Sequence, residues 1–255
     1  MKEDIQRQVI MEKSSNLDKI KEQTKIIARA IPIKQEGNLL IAIHPFTSEI
    51  IWTNKMMNDK VNEINESNIS KYDLSKKEVY DEWLEQFDSY IDKCDDLLKI
   101  YMLWRDAWKL TFMKYCGDYL SEKDYAEYLA HSWVLEENPN MDANVPISES
   151  IKMFKSCKKE YLMENGDYEY WKSLPNEVVL YRGVSKGRVK LGLSWTDNKE
   201  MAKWFMNRWD DSKNCLLKVK ANKRDIIAYF NTRNEQECLL DVLKYKDKIK
   251  VVHKI

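Results

Sequence analysis

The sequence predicts an α+β protein in which a helical region precedes a mostly β region. Two observations lead to this prediction. Apolar residues between about 75 and 112 recur every three or four positions, which is the period of a helix. After Pro175 the apolar residues instead occur in short runs separated by polar turns, which is typical of strands. Helices and strands that are segregated along one chain indicate an α+β fold.

The composition is that of a folded protein with balanced charge. The 255 residues are 44% hydrophobic and include nine tryptophans and fourteen tyrosines, which is ample for a buried core. Forty-two basic and forty-two acidic residues cancel. The net charge therefore favours neither nucleic acid nor an anionic membrane as a partner, and a local basic groove stays open as an alternative.

Cysteine and histidine usage indicates reduced thiols and no metal site. Five widely spaced cysteines, an odd number, are typical of buried thiols in a reducing compartment. None of the three histidines lies at a metal-ligand spacing from a cysteine or another histidine. The first residues lack the apolar core of a signal peptide, and no window approaches the ~20 apolar residues of a membrane span. We therefore expect a cytoplasmic protein.

Residues 1–72 are predicted to form an N-terminal extension. An approximate helical stripe runs through residues 2–29, with an interruption at Ser-Ser-Asn 14–16. Two apolar runs, 39–43 and 49–53, flank a His-Pro-Phe-Thr-Ser turn and predict a small β-hairpin. Residues 54–72 carry the weakest pattern in the chain, so a domain boundary is placed there.

Residues 73–175 are predicted to form a helical lobe. The stripe at 80–112 is too long for one typical helix, so we expect a break near 94–96 or 103–107. Ser121 and Asp124 have the spacing of a weak capping box and predict a helix through about Val134. Residues 137–146 are predicted to be an inter-helix turn. Ser148 is expected to cap the next helix.

Residues 176–255 are predicted to form a compact β core. One helix, from Asn198 to Trp209, is expected among its strands. The predicted strands are the short apolar runs at 178–181, 190–194, 215–219, 226–229, 237–240 and 249–252.

Four polar signals in this region occur at the ends of its apolar runs. They are Tyr-Arg-Gly at 181–183, Ser-Trp-Thr at 194–196, Phe205 with Arg208, and Glu-Gln-Glu-Cys-Leu-Leu at 235–240. In residue type, order and spacing they resemble the mono-ADP-ribosyltransferases of the arginine, Ser-Thr-Ser, glutamate group, which includes clostridial binary-toxin enzymes. The segment from about Leu98 onward also resembles uncharacterised proteins of phages and prophages of low-GC Gram-positive bacteria.

The resemblance implies a function and a set of residue roles. It implies transfer of ADP-ribose from NAD to a protein, with no metal, by a phage or mobile-element effector that acts on a host or defence protein in the host cytoplasm. Glu237 would be catalytic. Glu235 is expected two residues away on the same strand face, and it would mark an enzyme that modifies arginine. Arg182 would contact the NAD phosphates or the nearby ribose, Arg208 would contact a second phosphate, and Phe205 would stack on nicotinamide. Ser194 would order the cleft by a hydrogen bond to the catalytic glutamate, with Tyr181 and Thr196 in support.

The residue chemistry fits this reaction independently of the resemblance. Cleaving the bond between nicotinamide and ribose develops positive charge on the sugar, so a carboxylate is needed beside the reacting carbon, as in glycoside cleavage. A planar guanidinium is suited to holding phosphate. The sequence departs from the family in two places, because Trp195 replaces the middle hydroxyl of the triplet and only eleven residues separate Arg182 from Ser194.

Two alternative functions remain open at this point. The same site could hydrolyse NAD, or modify nucleic acid or a small molecule. The scaffold could instead be a non-enzymatic protein-binding module, with residues 1–72 and the tryptophan-rich helices as its interface, and Trp195 is the feature that most favours it. The sequence does not predict the target, the modified residue or the oligomeric state.

Overall fold

The computed structural model describes residues 14–30, 42–43, 45–46, 50–51, 77–142, 144–164, 166–209 and 213–254. The predictions for residues 2–13 and for the weakly patterned segment 54–72 lie outside these ranges. Within them the chain combines helices with an antiparallel sheet of six strands, so the predicted α+β class is confirmed.

The helices and strands are numbered in chain order. The helices are α1 (Leu17–Ala30), α2 (Lys77–Lys93), α3 (Leu97–Leu103), α4 (Lys109–Cys116), α5 (Glu122–Leu135), α6 (Ile147–Ser156), α7 (Lys159–Leu162), α8 (Asp167–Ser173) and α9 (Lys199–Asn207). The strands are β1 (Ala42–Ile43), β2 (Ile50–Ile51), β3 (Glu177–Val184), β4 (Ser194–Thr196), β5 (Cys215–Asn222), β6 (Ile226–Phe230), β7 (Glu237–Leu240) and β8 (Lys250–Lys254).

The chain divides into two compact units. The first comprises residues 1–16, 119–134 and 146–255, and the second comprises residues 17–118 and 135–145. The boundary predicted near residue 72 lies outside the described residues. The boundary predicted between 175 and 176 falls inside the first unit, because helices α6 and α8 both contact strand β6.

The first unit is built on a sheet with the strand order β6-β7-β4-β3-β5-β8. All neighbouring strands are antiparallel. Strand β3 shows alternating burial, with Leu180, Arg182 and Val184 buried and the residues between them more exposed. Helix α9 packs on strand β3, where Ala202 and Met206 join Leu216 in a small apolar cluster.

The start of helix α9 follows from its sequence. Asn198 is the N-cap, and its side-chain oxygen accepts hydrogen bonds from the backbone N–H groups of Glu200 and Met201 at 3.0 and 3.2 Å. Such a cap satisfies donors that have no partner inside the helix. The Asn198 amide also donates to the Gln236 side chain at 2.7 Å, which ties this helix to the segment before strand β7.

The second unit has a core of aromatic and aliphatic side chains. Phe46 packs against Phe87 and Trp104, with ring centroids 4.8 and 4.6 Å apart. Trp104 in turn contacts Phe112 edge-on at 5.6 Å. The aromatic stripe predicted at 80–112 is therefore largely core, although Tyr90 is half exposed. The residues at 42–43 and 50–51 pair as the predicted hairpin.

Several predicted element boundaries can be compared with the structure. The helical stripe is interrupted at both predicted positions, between α2 and α3 and between α3 and α4. The Ser121 hydroxyl accepts from the Asp124 backbone N–H at 3.0 Å, which is one half of the predicted capping box. The Ser121 N–H donates to the Ser15 hydroxyl at 2.7 Å and not to Asp124. Two predictions were wrong: helix α6 is capped at Pro146 and not at Ser148, and β4 begins at Ser194, where the predicted strand 190–194 ended.

Three further observations concern predicted absences and the cysteines. All five cysteines are free thiols. Among the described residues, none of the helices is long and apolar enough to cross a membrane. In the same ranges no group of three or more histidine, cysteine, aspartate or glutamate side chains is arranged to hold a metal ion.

Glu136 in the second unit is a buried carboxyl that should make stability depend on pH. Burial, together with a smaller effect of the nearby Asp142 carboxylate, raises the pKa of this carboxyl from 4.5 to about 8. Among the described residues its Oε2 atom has no hydrogen-bond partner. Since the folded pKa is the higher one, folding favours the protonated form, and this contribution is complete below about pH 4.5 and is lost as pH rises through about 8.

We therefore expect the Glu136→Gln variant to be more stable than the wild type at pH 8. The gain should be on the order of 1–3 kcal/mol, because the amide cannot ionise and so avoids the cost of a buried, incompletely hydrogen-bonded charge. Urea unfolding at pH values between 5 and 8.5 measures it, and the variant should show a flatter pH dependence. The exposed Glu85 of the same unit provides the control, because Glu85→Gln should follow the wild-type curve. Parallel curves for Glu136→Gln and wild type would contradict the assignment.

Candidate active site

Five of the predicted site residues lie on three adjacent strands. Strand β4, which begins with Ser194, lies between β3, which carries Arg182, and β7, which begins with Glu237. Thr196 pairs with Tyr181 on one side and with Glu237 on the other. Directly paired residues project to the same face of a sheet, so Tyr181, Thr196 and Glu237 form a row across three strands.

Glu237 is a buried carboxyl held by two side chains. Its exposed fraction is 9%. Its Oε1 atom accepts a hydrogen bond from the indole nitrogen of Trp133 at 3.1 Å, and the Ser194 hydroxyl also hydrogen-bonds this carboxyl. Burial raises the pKa of Glu237, whereas the hydrogen bonds from Ser194 and Trp133 act in the opposite direction. The predicted contact between Ser194 and the candidate catalytic glutamate is thus present.

Arg182 forms hydrogen bonds with the main chain at Ser194 and at Val189. It is 8% exposed, and its terminal nitrogens donate to the main-chain oxygens of Ser194 at 2.6 Å and Val189 at 2.9 Å. Its Nε atom has no hydrogen-bond partner among the described residues. Burial lowers the pKa of Arg182 to about 10, and the negative charge of Glu237 acts in the opposite direction. Two of its five N–H donors are therefore used internally. Because Arg182 follows Tyr181 on strand β3, its side chain leaves the sheet on the face opposite the row of Tyr181, Thr196 and Glu237.

Glu235 lies outside strand β7, which corrects the sequence argument that placed it on the same strand face as Glu237. The intervening Gln236 has a positive φ of 50°, so the alternation of strand side chains does not relate the two carboxylates. A side-chain amide from Asn198 and the side-chain oxygen of Asn231 both bind Gln236 and stabilise this turn. The Glu235 carboxylate itself pairs with Arg233, with Nη2 and Oε2 2.8 Å apart.

Phe205 and Arg208 lie beside the site, Phe205 on helix α9 and Arg208 at its C-terminal end. This helix contacts β3 and β4, the strands that carry Arg182 and Ser194. Phe205 is half-buried and meets Trp204 edge-on at 5.0 Å. The exposed Arg208 guanidinium lies 5.8 Å from the ring of Trp204 and 5.9 Å from that of Trp209. Both side chains therefore contact tryptophans of their own segment.

Trp195, the main departure from the family triplet, is a core residue. It is 2% exposed, and its indole nitrogen donates to the main-chain oxygen of Gly192 at 2.9 Å. It pairs with Cys238, so it projects to the face opposite Ser194 and Thr196. The position at which the family triplet has its middle hydroxyl therefore projects to the core side of strand β4. The hydroxyls of Ser194 and Thr196 are retained on the other side.

Thr196 has a structural contact of its own. Its hydroxyl accepts a hydrogen bond from the backbone N–H of Asn198 at 3.1 Å, in the turn that leads into helix α9. Thr196 therefore stabilises the turn that precedes helix α9, while Ser194 contacts the Glu237 carboxyl.

Trp133 is the site residue that the sequence did not predict. It lies on helix α5, 104 positions before Glu237. Its sequence neighbours offer no motif, and a buried tryptophan on a helix is ordinarily a packing residue. Only the tertiary structure brings its N–H group to the carboxyl.

No protein-family model, no curated protein and no solved structure matches this chain.

Proposed function

We propose that this protein is an NAD-dependent mono-ADP-ribosyltransferase that modifies a protein, with arginine as the acceptor and Glu237 as the catalytic residue. One observation carries the proposal: Arg182, Ser194 and Glu237, which are dispersed over 56 positions of the sequence, lie on three adjacent strands and interact. Ser194 is central to this arrangement, since its hydroxyl binds Glu237 and its main-chain oxygen binds Arg182.

The environment of Glu237 suits the stabilisation of positive charge on a ribose. A carboxylate in a buried site acts more strongly on a developing charge than one in water. Because burial raises the pKa of Glu237, its ionised form becomes populated only as pH rises through that pKa. The reaction needs the ionised form, so the rate of NAD cleavage should increase with pH on this limb.

Arg182 has a buried N–H donor next to Ser194, and its side chain starts from the opposite face of the sheet from Glu237. The unused Nε–H of a guanidinium is a hydrogen-bond donor that an NAD phosphate or ribose oxygen would satisfy. Its other two contacts hold the backbone at the start of strand β4 and so help to place Ser194. Phe205 and Arg208 are assigned to the nicotinamide ring and a phosphate by the resemblance, and their position beside β3 and β4 is compatible with those roles.

The pairing of Glu235 with Arg233 bears on the acceptor. Glu235 already binds a guanidinium, which is the group that a target arginine would present. A target arginine would therefore have to displace Arg233. This ion pair also favours a second candidate function, NAD hydrolysis. In hydrolysis the acceptor is water, which does not have to bind Glu235 in place of Arg233.

The non-enzymatic module is less well supported than it was from the sequence. The feature that favoured it was Trp195, and the burial of this side chain on the opposite face removes the conflict with an active triplet. We keep the biological role, a phage or mobile-element effector directed at a host or defence protein, as part of the proposal on the strength of the sequence resemblance.

The test is incubation of the purified chain with NAD labelled in its adenylate half, together with a bacterial lysate or a simple guanidino compound. Three products are measured: released nicotinamide, free ADP-ribose, and label on each class of acceptor. Label on a protein band that is reduced by excess guanidino compound supports the proposal. Free ADP-ribose alone indicates hydrolysis, and label on nucleic acid indicates that alternative. If the protein neither binds nor cleaves NAD but forms a stable complex with another protein, the non-enzymatic binding module is favoured.

A further inference from the structure

Trp133 contacts the candidate catalytic carboxyl from outside the sheet. Its side chain is 1% exposed, and its Nε1–H donates to Glu237 Oε1 at 3.1 Å. Both groups belong to the first compact unit. An indole N–H is a donor only, so it satisfies an oxygen of the ionised carboxyl without competing with it as a proton acceptor.

The indole ring has a fixed orientation. It meets the Phe154 ring edge-on, with centroids 5.3 Å apart and an interplanar angle of 87°. Phe154 packs in turn against Phe230 at 6.2 Å, and Phe230 is the β6 residue that pairs with Glu237. Trp133 is thus held in place by Phe154, which packs against Phe230. Phe230 is the residue paired with the acceptor, Glu237, on the neighbouring strand. Packing of this kind limits the rotamers that Trp133 can adopt.

Several charged or titratable groups act on the same carboxyl. Glu235 raises the pKa of Glu237, while Arg233 lowers it. Arg182 and Cys238 also interact with it electrostatically. Trp133 and Ser194 are the two groups that hydrogen-bond it, and both favour the charged form against the effect of burial. A neutral donor is suited to this task because it adds no positive charge that would repel a cationic ribose.

We propose that Trp133 is a positioning residue that orients the Glu237 carboxylate for reaction. Helix α5 thereby supplies part of the site from a position far from the motif strands in sequence. The effect on rate rests on the proposed function, whereas the effect on the carboxyl itself does not.

The test compares Trp133→Phe with Trp171→Phe. Phenylalanine keeps an aromatic ring beside Phe154 but removes the N–H donor. Trp171 is the matched control, because its indole nitrogen donates to the Ile226 main-chain oxygen at 2.9 Å, in the same unit but not to Glu237. We expect Trp133→Phe to lower kcat about tenfold to a hundredfold, the range for a lost hydrogen bond to a charged group, with little change in KM for NAD. Its rate profile should also move to higher pH, and Trp171→Phe should do neither.

A measurement without turnover separates this inference from the proposed function. The indole N–H resonance of Trp133 in ¹⁵N-labelled wild-type protein should titrate with Glu237, and this titration should disappear in Glu237→Gln. In ¹³C-glutamate-labelled Trp133→Phe the pKa of Glu237 should rise. An indole resonance that does not respond to pH, with an unchanged Glu237 pKa in the variant, would overturn the inference. If no NAD is cleaved but these resonances titrate as expected, the proposed function fails and the positioning role stands.

Discussion

The Glu237→Gln variant is expected to lose at least about a hundredfold in the rate of NAD cleavage, because it removes the one preorganised negative charge beside the reacting ribose. Glutamine has nearly the same shape, and its side-chain oxygen can still accept from the Trp133 indole. The packing should therefore survive while the charge is lost. The measurement is kcat/KM for nicotinamide release, with NAD binding measured separately by calorimetry.

Stability data should separate this loss from misfolding. Burial raises the pKa of Glu237, so its ionised form is disfavoured by folding at neutral pH, and replacing it by a neutral amide should leave the thermal midpoint unchanged or higher. Glu235→Gln is the matched control, since it also neutralises a glutamate of the same segment. It should reduce transfer to protein but preserve nicotinamide release. Equal rates for Glu237→Gln and wild type would remove Glu237 from the mechanism.

The Gly183→Ala variant is expected to have the largest effect on stability, a loss of about 3 kcal/mol, near the upper end of the usual range for overpacking. A Cβ atom at this position would lie 1.9 Å from the Ala202 carbonyl oxygen and 2.4 Å from the Met206 backbone nitrogen. Both neighbours are backbone atoms of helix α9, so no side-chain rotation can relieve the overlap. The helix would have to move away from strand β3.

Gly187→Ala is the appropriate comparison for Gly183→Ala. Gly187 has a positive φ of 75°, and a methyl group at this position would meet no atom within 4 Å, so alanine there should cost only about 1 kcal/mol of left-handed backbone strain. Urea unfolding of the three proteins measures both losses, and unchanged slopes would show that the unfolded states are comparable. If the two variants lost the same free energy of unfolding, the close packing of helix α9 on strand β3 would not explain why position 183 is glycine.

The fold class and the strand that begins at Glu237 followed from local patterns. Apolar residues at helical spacing, then short runs between turns, were enough to predict the α+β class and to place β7 at 237–240. Strand β4 is a harder case because it has only three residues and pairs on both sides, so its limits depend on its neighbours and not on its own apolar run. The prediction of Ser148 as a cap failed for a related reason, since Pro146 already begins that helix and its carbonyl accepts from Glu149 and Ser150.

The candidate site combines residues whose roles depend on partners distant in sequence. Arg182 was predicted to hold phosphate, yet its terminal nitrogens bind main-chain oxygens at 2.6 and 2.9 Å. The pairing of Glu235 with Arg233 depends on a turn in which Asn234 and Gln236 both have positive φ, an arrangement that residue types alone do not predict.

The α+β class, the order of the motif residues and the chemistry of their side chains could be predicted from the sequence, because they depend on residue type and local spacing. Two features required the three-dimensional structure: Trp195 projects into the core, and Trp133 donates a hydrogen bond to the Glu237 carboxyl. The physical reason is that burial and pairing come from the packing of segments far apart in the chain. The pKa of Glu237 follows from that packing, since neither its desolvation nor its donors are local to residues 235–240.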